Sequence, residues 1–397
     1  MFVKIFVKNN FFTVYKILRY IFIRLDLFLK FFVKIFSNNI YFFKLKNTRS
    51  YLNDNINNTY DIIYKDSNLI RNPPCALNDH IHWKFTTESI KAFPEAYVAT
   101  INNGRVIGSA GFVVTDDNHL LYDLHFPYVC SMFMSEFHKQ FFFSKYPMKV
   151  NKLAVLSYVW IDNYFHWLFE VLPRIHLIMQ KTNEIEYYVM NGIPHIFKED
   201  TLHILGIDKE KIIYANKETL IYAEELICPS LPGESGNIPM WVVNFLRKHY
   251  LVQNIHRNKK IYISRKKAIN NRRILNETDV VDSLYKFGFE TYTLEDLPFR
   301  DQVNLFASAE VVIAPHGAGL SNLVFSSSQV KVLEIFSPKY VNPCYYNLCN
   351  AIGIQYYYLI GEGKSPKPYK DPHKVSDNII VDINQLMSAV NRLLSIA

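Results

Sequence analysis

Apolar and polar positions change their period repeatedly along this chain. Apolar residues run or alternate over 105–114, 119–123 and 152–160 as they do in strands. From Asp162 to about Lys181 the spacing becomes helical. Residues 187–190, 203–205 and 226–228 are shorter apolar elements. A turn-rich stretch, PSLPGESGNI at 229–238, then marks a boundary before a helix over 240–252.

The second half is more regular. Strands are predicted over 260–263, 289–292, 311–314, 330–335 and 355–359, with helices over 277–287, 299–308, 343–351 and 383–394. Asn276 stands where it can cap the first of these helices. Residues 317–325 open a further short helix after a Gly-rich turn. Strands alternating with helices predict an α/β fold with a parallel, doubly wound sheet.

Length and composition fit this picture. A chain of 397 residues suits two domains, and 49% hydrophobic residues rule out a mainly disordered chain. The five cysteines form no CxxC, and the closest pair is Cys344 and Cys349. That pattern predicts neither a disulfide scaffold nor a zinc site, and it suits a reducing compartment.

Charge changes the reading of the N-terminus. Residues 1–50 hold ten Lys or Arg against a single acid, Asp26, so the remaining 34 basic and 35 acidic residues nearly cancel. At 100° per residue Lys4, Lys8, Lys16, Arg19, Lys30 and Lys34 share a sector of about 120°. Phe2, Phe6, Ile17, Phe28, Phe31, Phe32 and Ile35 lie away from it. Charges interrupt every apolar stretch, which argues against a spanning helix and a signal peptide. The expectation is a basic amphipathic helix over 1–45 on an anionic membrane surface, cytoplasmic and peripheral on the inner face of the cell membrane. Packing of this arm on protein is the alternative. A nucleic-acid partner is not expected, because the body carries no net positive charge. Residues 46–80, rich in Asn, Asp and Tyr, read as a linker.

Three segments can carry chemistry. The first holds Asp162, His166 and Glu170 at four-residue spacing, one stripe if helical. An acid on one imidazole nitrogen frees the other as a general base. The second is Ser264-Arg265, ending a strand, with Arg272 and Arg273 in the next loop. Arginines at a strand end suit a diphosphate. The third is His316-Gly317-Ala318-Gly319-Leu320, between a strand and a helix, where small residues let an anion approach the backbone. Asn322 stands where a dinucleotide fingerprint needs its third glycine, and Glu334 is the only loose match for the acidic residue that follows. The chain has no D-x-D, GxxxxGK[ST], HExxH or GxSxG.

The segments NYFHWLFEVLPRI (163–175), IYISRKKAINNRRILNE (261–277), APHGAGLSNLVF (314–325) and VLEIF (332–336) resemble glycosyltransferase family 61, over about residues 150–375. The resemblance implies a GT-B-like architecture, two Rossmann-like domains facing a cleft. On that reading residues 81–240 form the acceptor-side domain, 241–380 the nucleotide-sugar domain and 381–397 a C-terminal helix.

It also implies inverting transfer from a nucleotide sugar, usually UDP-linked, with no essential metal and no other cofactor. The acceptor would be a glycan or a lipid-linked sugar in bacterial capsular or surface polysaccharide synthesis. His166 is the first choice of base; Asp162 is either the base or its orienting partner, and Glu170 is the third member. Arg265, Arg272 or Arg273, the turn amides of Gly317–Leu320 and His316 would hold the leaving diphosphate, and Glu334 the ribose hydroxyls. The alternative is a non-catalytic, membrane-associated nucleotide- or sugar-binding protein of the same fold.

Overall fold

The computed structural model describes residues 44–55, 58–75, 80–125, 147–252, 255–269 and 271–395. The expected amphipathic helix of residues 1–45 falls on 1–43, which lie outside the described residues. The chain divides into two units, Met1–Lys44 and Leu45–Ala397, and the fold below is that of the second. Among the described residues no helix is long and apolar enough to cross a membrane.

The first sheet is mixed. Its long strands Ala96–Ile107 and Leu220–Pro229 pair antiparallel at the centre. On one side the strands Met148–Val155, Tyr187–Met190 and Ile212–Tyr214 continue in parallel. On the other side Phe112–Val114 and His119–Leu121 form an antiparallel meander. Only the parallel part has the expected Rossmann-like character. The tight turn at Gly108 and Gly111, both at positive φ, is too short for a crossover helix and returns the chain antiparallel.

Residues 46–80 are not the expected linker. Thr48–Asn53 is a helix capped by the Asn47 side chain, with Tyr51 and Leu52 buried. Thr59–Tyr64 then pairs with Ala96–Ile107 inside the first sheet. Tyr60, Ile63 and Tyr64 pack onto the sheet's cores while Ile62 stays exposed, and the polar residues around them hid that pattern.

The second sheet is wholly parallel. Its order is Phe289–Tyr292, Lys259–Ile263, Ala309–Pro315, Lys331–Phe336, Gln355–Ile360. In chain order this is 2-1-3-4-5, a doubly wound arrangement. Alternate residues feed opposite cores. Ile261, Ile263, Val312 and Ala314 join a core continuous with Ala154 of the first sheet and with Leu156 just beyond that strand. Tyr262, Val311 and Ile313 join a second core under the helix Ile383–Ser395, whose Leu386, Ala389, Val390 and Leu393 form a helical stripe.

Asn276 does not cap the helix Glu277–Tyr285. Its side chain exchanges hydrogen bonds with the Val381 backbone instead, at 2.8 and 3.0 Å, which fixes the approach to the last helix.

Candidate active site

The strands Lys259–Ile263 and Ala309–Pro315 lie side by side, and their chains leave toward opposite edges of the sheet. Such a switch point opens a crevice at the carboxyl ends of the strands. A cavity of about 490 Å³ occupies this place. Its wall includes Arg265, Arg272, His316, Gly317, Ala318 and Gly319 from the second sheet, and Asn163–His166 from the first half of the chain.

Arg265 lies flat against Gly317: a Cβ on that glycine would stand 1.8 Å from Nη1 of Arg265. Gly317 has extended backbone, so it is required here for space and not for its φ. Arg265 also donates to the Asn271 carbonyl at 3.3 Å. Burial first, and Arg272 second, pull its guanidinium down to about 10, which leaves it charged at neutral pH. Arg272 lies 5.2 Å from the centre of the Tyr340 ring, and its buried Nε has no hydrogen-bond partner among the described residues. A pair of cationic guanidiniums on one wall suits a multiply charged anion.

His316 shows one edge to this cavity. Its Nδ1 bonds to Glu334, which is wholly buried. Glu334 is therefore no ribose ligand; it is sealed behind His316 and lies outside the cavity wall. Burial, then Arg272 and Arg265, hold His316 well below the ordinary histidine value.

Other expected residues also fall outside the wall. Arg273 donates to the Ala268 carbonyl at 3.2 Å, so Arg272 is the arginine that faces the cavity. Ser264 is buried, and its hydroxyl accepts from Lys266 N at 3.2 Å in a turn. Leu320 is in the core, and its amide is consumed by Gly317 O at 3.0 Å. The expected short helix is a 3-10 helix, Ala318–Phe325.

The opposite wall differs from the predicted stripe. The helix starts at Tyr164, with Asn163 as its cap, so Asp162 precedes it. Asp162 binds Lys198 Nζ at 2.5 Å and Ile193 N at 3.1 Å, not the imidazole. Glu170 takes the orienting role instead: its Oε2 lies 2.8 Å from His166 Nδ1, and its Oε1 has no partner among the described residues. Residues Trp167–Val171 form a π-helical turn, which buries Glu170 beneath His166. Trp160 packs 4.9 Å from the imidazole. Trp167 is wholly buried with Nε1 on Thr201 Oγ1 at 2.9 Å, and Arg174 is buried on the carbonyls of Ser157 and Pro229; both are structural.

Tyr340, Tyr345, Glu295 and Gln302 line the cavity without having been singled out in the sequence. Tyr340 and Tyr345 follow the strand Lys331–Phe336, and Glu295 follows Phe289–Tyr292, so the strand-end rule was the available signal. Tyr164, inside a recognised motif, donates to Asn322 Oδ1 at 2.8 Å, and Asn322 Nδ2 donates to Gln302 Oε1 at 3.0 Å. The two walls are thus bonded together.

This pairing of a carboxylate-held imidazole with a two-arginine anion site falls mostly within a stretch that resembles one known family. Residues 164–333 match the glycosyltransferase 61 family model. Over 98 residues the chain is 30% identical to an EGF domain-specific O-linked N-acetylglucosamine transferase of Drosophila melanogaster, covering 24% of this chain and 18% of that protein. It is 34% identical over 104 residues to the protein O-linked-mannose beta-1,4-N-acetylglucosaminyltransferase 2 of Bos taurus, covering 24% and 18%. It is 29% identical over 98 residues to a beta-1,2-xylosyltransferase of Arabidopsis thaliana, covering 21% and 18%. The chain spans about a fifth of the length of these eukaryotic relatives. The glycosyltransferase 61 match and these relatives support a glycosyltransferase.

Proposed function

We propose that the chain is an inverting glycosyltransferase that moves a sugar from a nucleotide sugar, UDP-linked, to a hydroxyl of a glycan or lipid-linked acceptor. The observation that carries this reading is the cavity with His166 on one wall and Arg265, Arg272 and His316 on the other. His166 Nε2 takes the acceptor proton while the acceptor oxygen attacks the anomeric carbon. Glu170 receives the Nδ1 hydrogen and keeps the lone pair of Nε2 toward the cavity. The bond from the anomeric carbon to the diphosphate oxygen breaks, and the electron pair leaves with the nucleotide. Arg265, Arg272, the amides of Gly317–Gly319 and His316 hold that charge. Two permanent cations supply the stabilisation for which other transferases use a metal, so turnover should survive a chelator.

The names of the relatives make N-acetylglucosamine and xylose the first donor sugars to test. The resemblance to glycosyltransferase family 61 suggests a role in surface polysaccharide synthesis, and the basic amphipathic pattern of residues 1–45 supports holding the enzyme at the inner face of the membrane. The GT-B-like reading of 81–240 and 241–380 belongs to the same proposal.

The test is a thermal-shift series of the full chain against UDP, GDP, CMP and their sugars, with and without EDTA, followed by NMR of the product anomer. Stabilisation by one nucleotide family that survives EDTA, and inversion at the anomeric carbon, are the expected results. Retention of configuration, or no nucleotide response from a folded sample, overturns the proposal.

A further inference from the structure

With Glu334 sealed behind His316, Glu295 is the only carboxylate on the cavity wall among the described residues. It stands on the 3-10 turn Leu294–Asp296, which follows the edge strand Phe289–Tyr292. Its neighbour Asp296 takes the nearby cation: Lys267 Nζ lies 2.5 Å from Asp296 Oδ1. Glu295 is exposed, and its carboxylate makes no hydrogen bond or ion pair among the described residues.

The turn is held from behind. Gln302 Nε2 donates to the carbonyls of Leu294 and Leu297, at 3.0 Å each. Carbonyls only accept, so these bonds fix which way the Gln302 amide points. Its Oε1 is thereby turned to Asn322 Nδ2 at 3.0 Å. Asn322 is buried and also donates to the Gly319 carbonyl at 3.1 Å. Leu294 lies over Gly319, where a Cβ would stand 2.6 Å from its Cδ1. The turn with Glu295 is thus fastened to the turn that carries His316, and both follow strands of the second sheet.

Charge narrows what Glu295 can touch. A carboxylate repels phosphate oxygens, so it does not hold the diphosphate itself. Burial and Arg272 lower the Arg265 guanidinium while Glu295 acts the other way, so the carboxylate is within electrostatic reach of the anion site. The groups that flank the diphosphate of a nucleotide sugar are the ribose and the transferred sugar. Both carry adjacent hydroxyls, and two free carboxylate oxygens accept from such a pair. His166 is on the opposite wall, so the hydroxyls in question are the donor's.

We propose that Glu295 is a specificity-determining residue that accepts hydrogen bonds from adjacent hydroxyls of the nucleotide-sugar donor, and that Gln302 positions it. This assignment rests on the transferase reading.

The experiment is calorimetric titration of the full chain with UDP, 2′,3′-dideoxy-UDP, UDP-N-acetylglucosamine, UDP-xylose and inorganic diphosphate. Glu295→Ala should weaken UDP or the UDP-sugars by about tenfold or more. Diphosphate should bind the variant as well as before or more tightly, because a negative charge near Arg265 is gone. A loss present with UDP and absent with its dideoxy analogue assigns the ribose. A loss confined to the UDP-sugars assigns the transferred sugar. Either result upholds the proposal. Glu295→Gln keeps one accepting oxygen and should lose less. Gln302→Met should weaken the same ligands by about threefold and again spare diphosphate.

Equal losses with UDP and the dideoxy analogue point to the base and overturn the proposal. A parallel loss of diphosphate, the mark of a disturbed arginine site, also overturns it, as does unchanged binding of UDP and both sugars. Glu295 is exposed, so Glu295→Ala should keep the Tm of the unmodified protein. If Gln302→Met fails to fold, the Glu295 variants decide. An unmodified protein that binds diphosphate but no UDP compound overturns the nucleotide reading and this assignment together, a result distinct from the others.

Discussion

The hydroxyl of Tyr164 donates to Oδ1 of Asn322 at 2.8 Å, joining two segments 158 residues apart. Tyr164 immediately follows the cap of the helix that carries His166, and Asn322 belongs to the turn that carries His316. Burial raises the Tyr164 phenol, so it stays protonated and remains a donor. This bond sets the separation between the proposed base and the proposed leaving-group site. Tyr164→Phe leaves Asn322 Oδ1 without its donor and should cost about 1–2 kcal/mol in denaturant unfolding. Its effect on kcat should exceed that on donor affinity, because proximity of the two walls matters most in the transition state.

Gly317→Ala tests the arginine seat. The added methyl would meet the guanidinium of Arg265 at 1.8 Å, so Arg265 must leave its position. The extended backbone at residue 317 accepts alanine without strain, so the variant should fold. UDP affinity should fall by about tenfold or more, as for a lost charge-assisted pair, with little change in Tm. Calorimetric titration checks the first part and a melting curve the second.

His166→Ala should lower kcat by about 10²–10⁴-fold, while UDP binding stays near that of the unmodified protein. Glu170→Gln should lower kcat less, since the imidazole remains but loses its anionic partner at Nδ1. Asp162→Asn should affect stability through Lys198 more than turnover. Steady-state kinetics with a defined acceptor would reverse the assignment of the base if Asp162→Asn proved the more damaging change.

A buried histidine predicts the acid sensitivity of the fold. His125 accepts from Val113 N–H at Nε2 (3.1 Å) and donates from Nδ1 to the Ser157 carbonyl (3.2 Å). Burial, then the charge of Arg174, lowers it to about 3. The unfolded chain takes up this proton near pH 6.5, and the folded chain resists it. Stability is therefore present above pH 6.5 and declines as pH falls toward about 3, by about 2 kcal/mol per 1.5 pH units for this one group. His125→Gln should flatten the slope of unfolding free energy against pH between 6.5 and 5.

The N-terminal arm predicts salt-dependent association with anionic vesicles. Sedimentation of the full chain with phosphatidylserine vesicles should weaken as salt rises and be lost on deletion of residues 1–43. Equal sedimentation of the deleted form would remove the arm from the membrane proposal.

Periodicity and strand-end logic made the second sheet legible, together with the placing of Arg265 and of the His316–Gly319 turn at strand ends, while Arg272 and Arg273 could not be told apart. Local sequence determines these, because a short apolar strand followed by small or cationic residues has few ways to fold. The register of Asp162, His166 and Glu170 was only half legible. Four-residue spacing put all three on one stripe, but the cap at Asn163 removed Asp162, and a π turn placed Glu170 under the imidazole. Residues 46–80 misled for a related reason: their apolar positions are sparse and find partners only on a strand formed more than thirty residues later.

What the sequence by itself determined is the set of chemical groups and the strands and turns that carry them. Tertiary structure alone decided which of them meet. Glu334 and Arg273 were equally plausible ligands in one dimension, yet packing buried the first behind His316 and bonded the second to the Ala268 carbonyl. Tyr164 and Asn322, or Tyr356 and Glu334, carry no mark of their partnership in the sequence. Their bonds follow from the packing of strands and helices, where a buried polar group must find a partner and long-range geometry selects the one within reach.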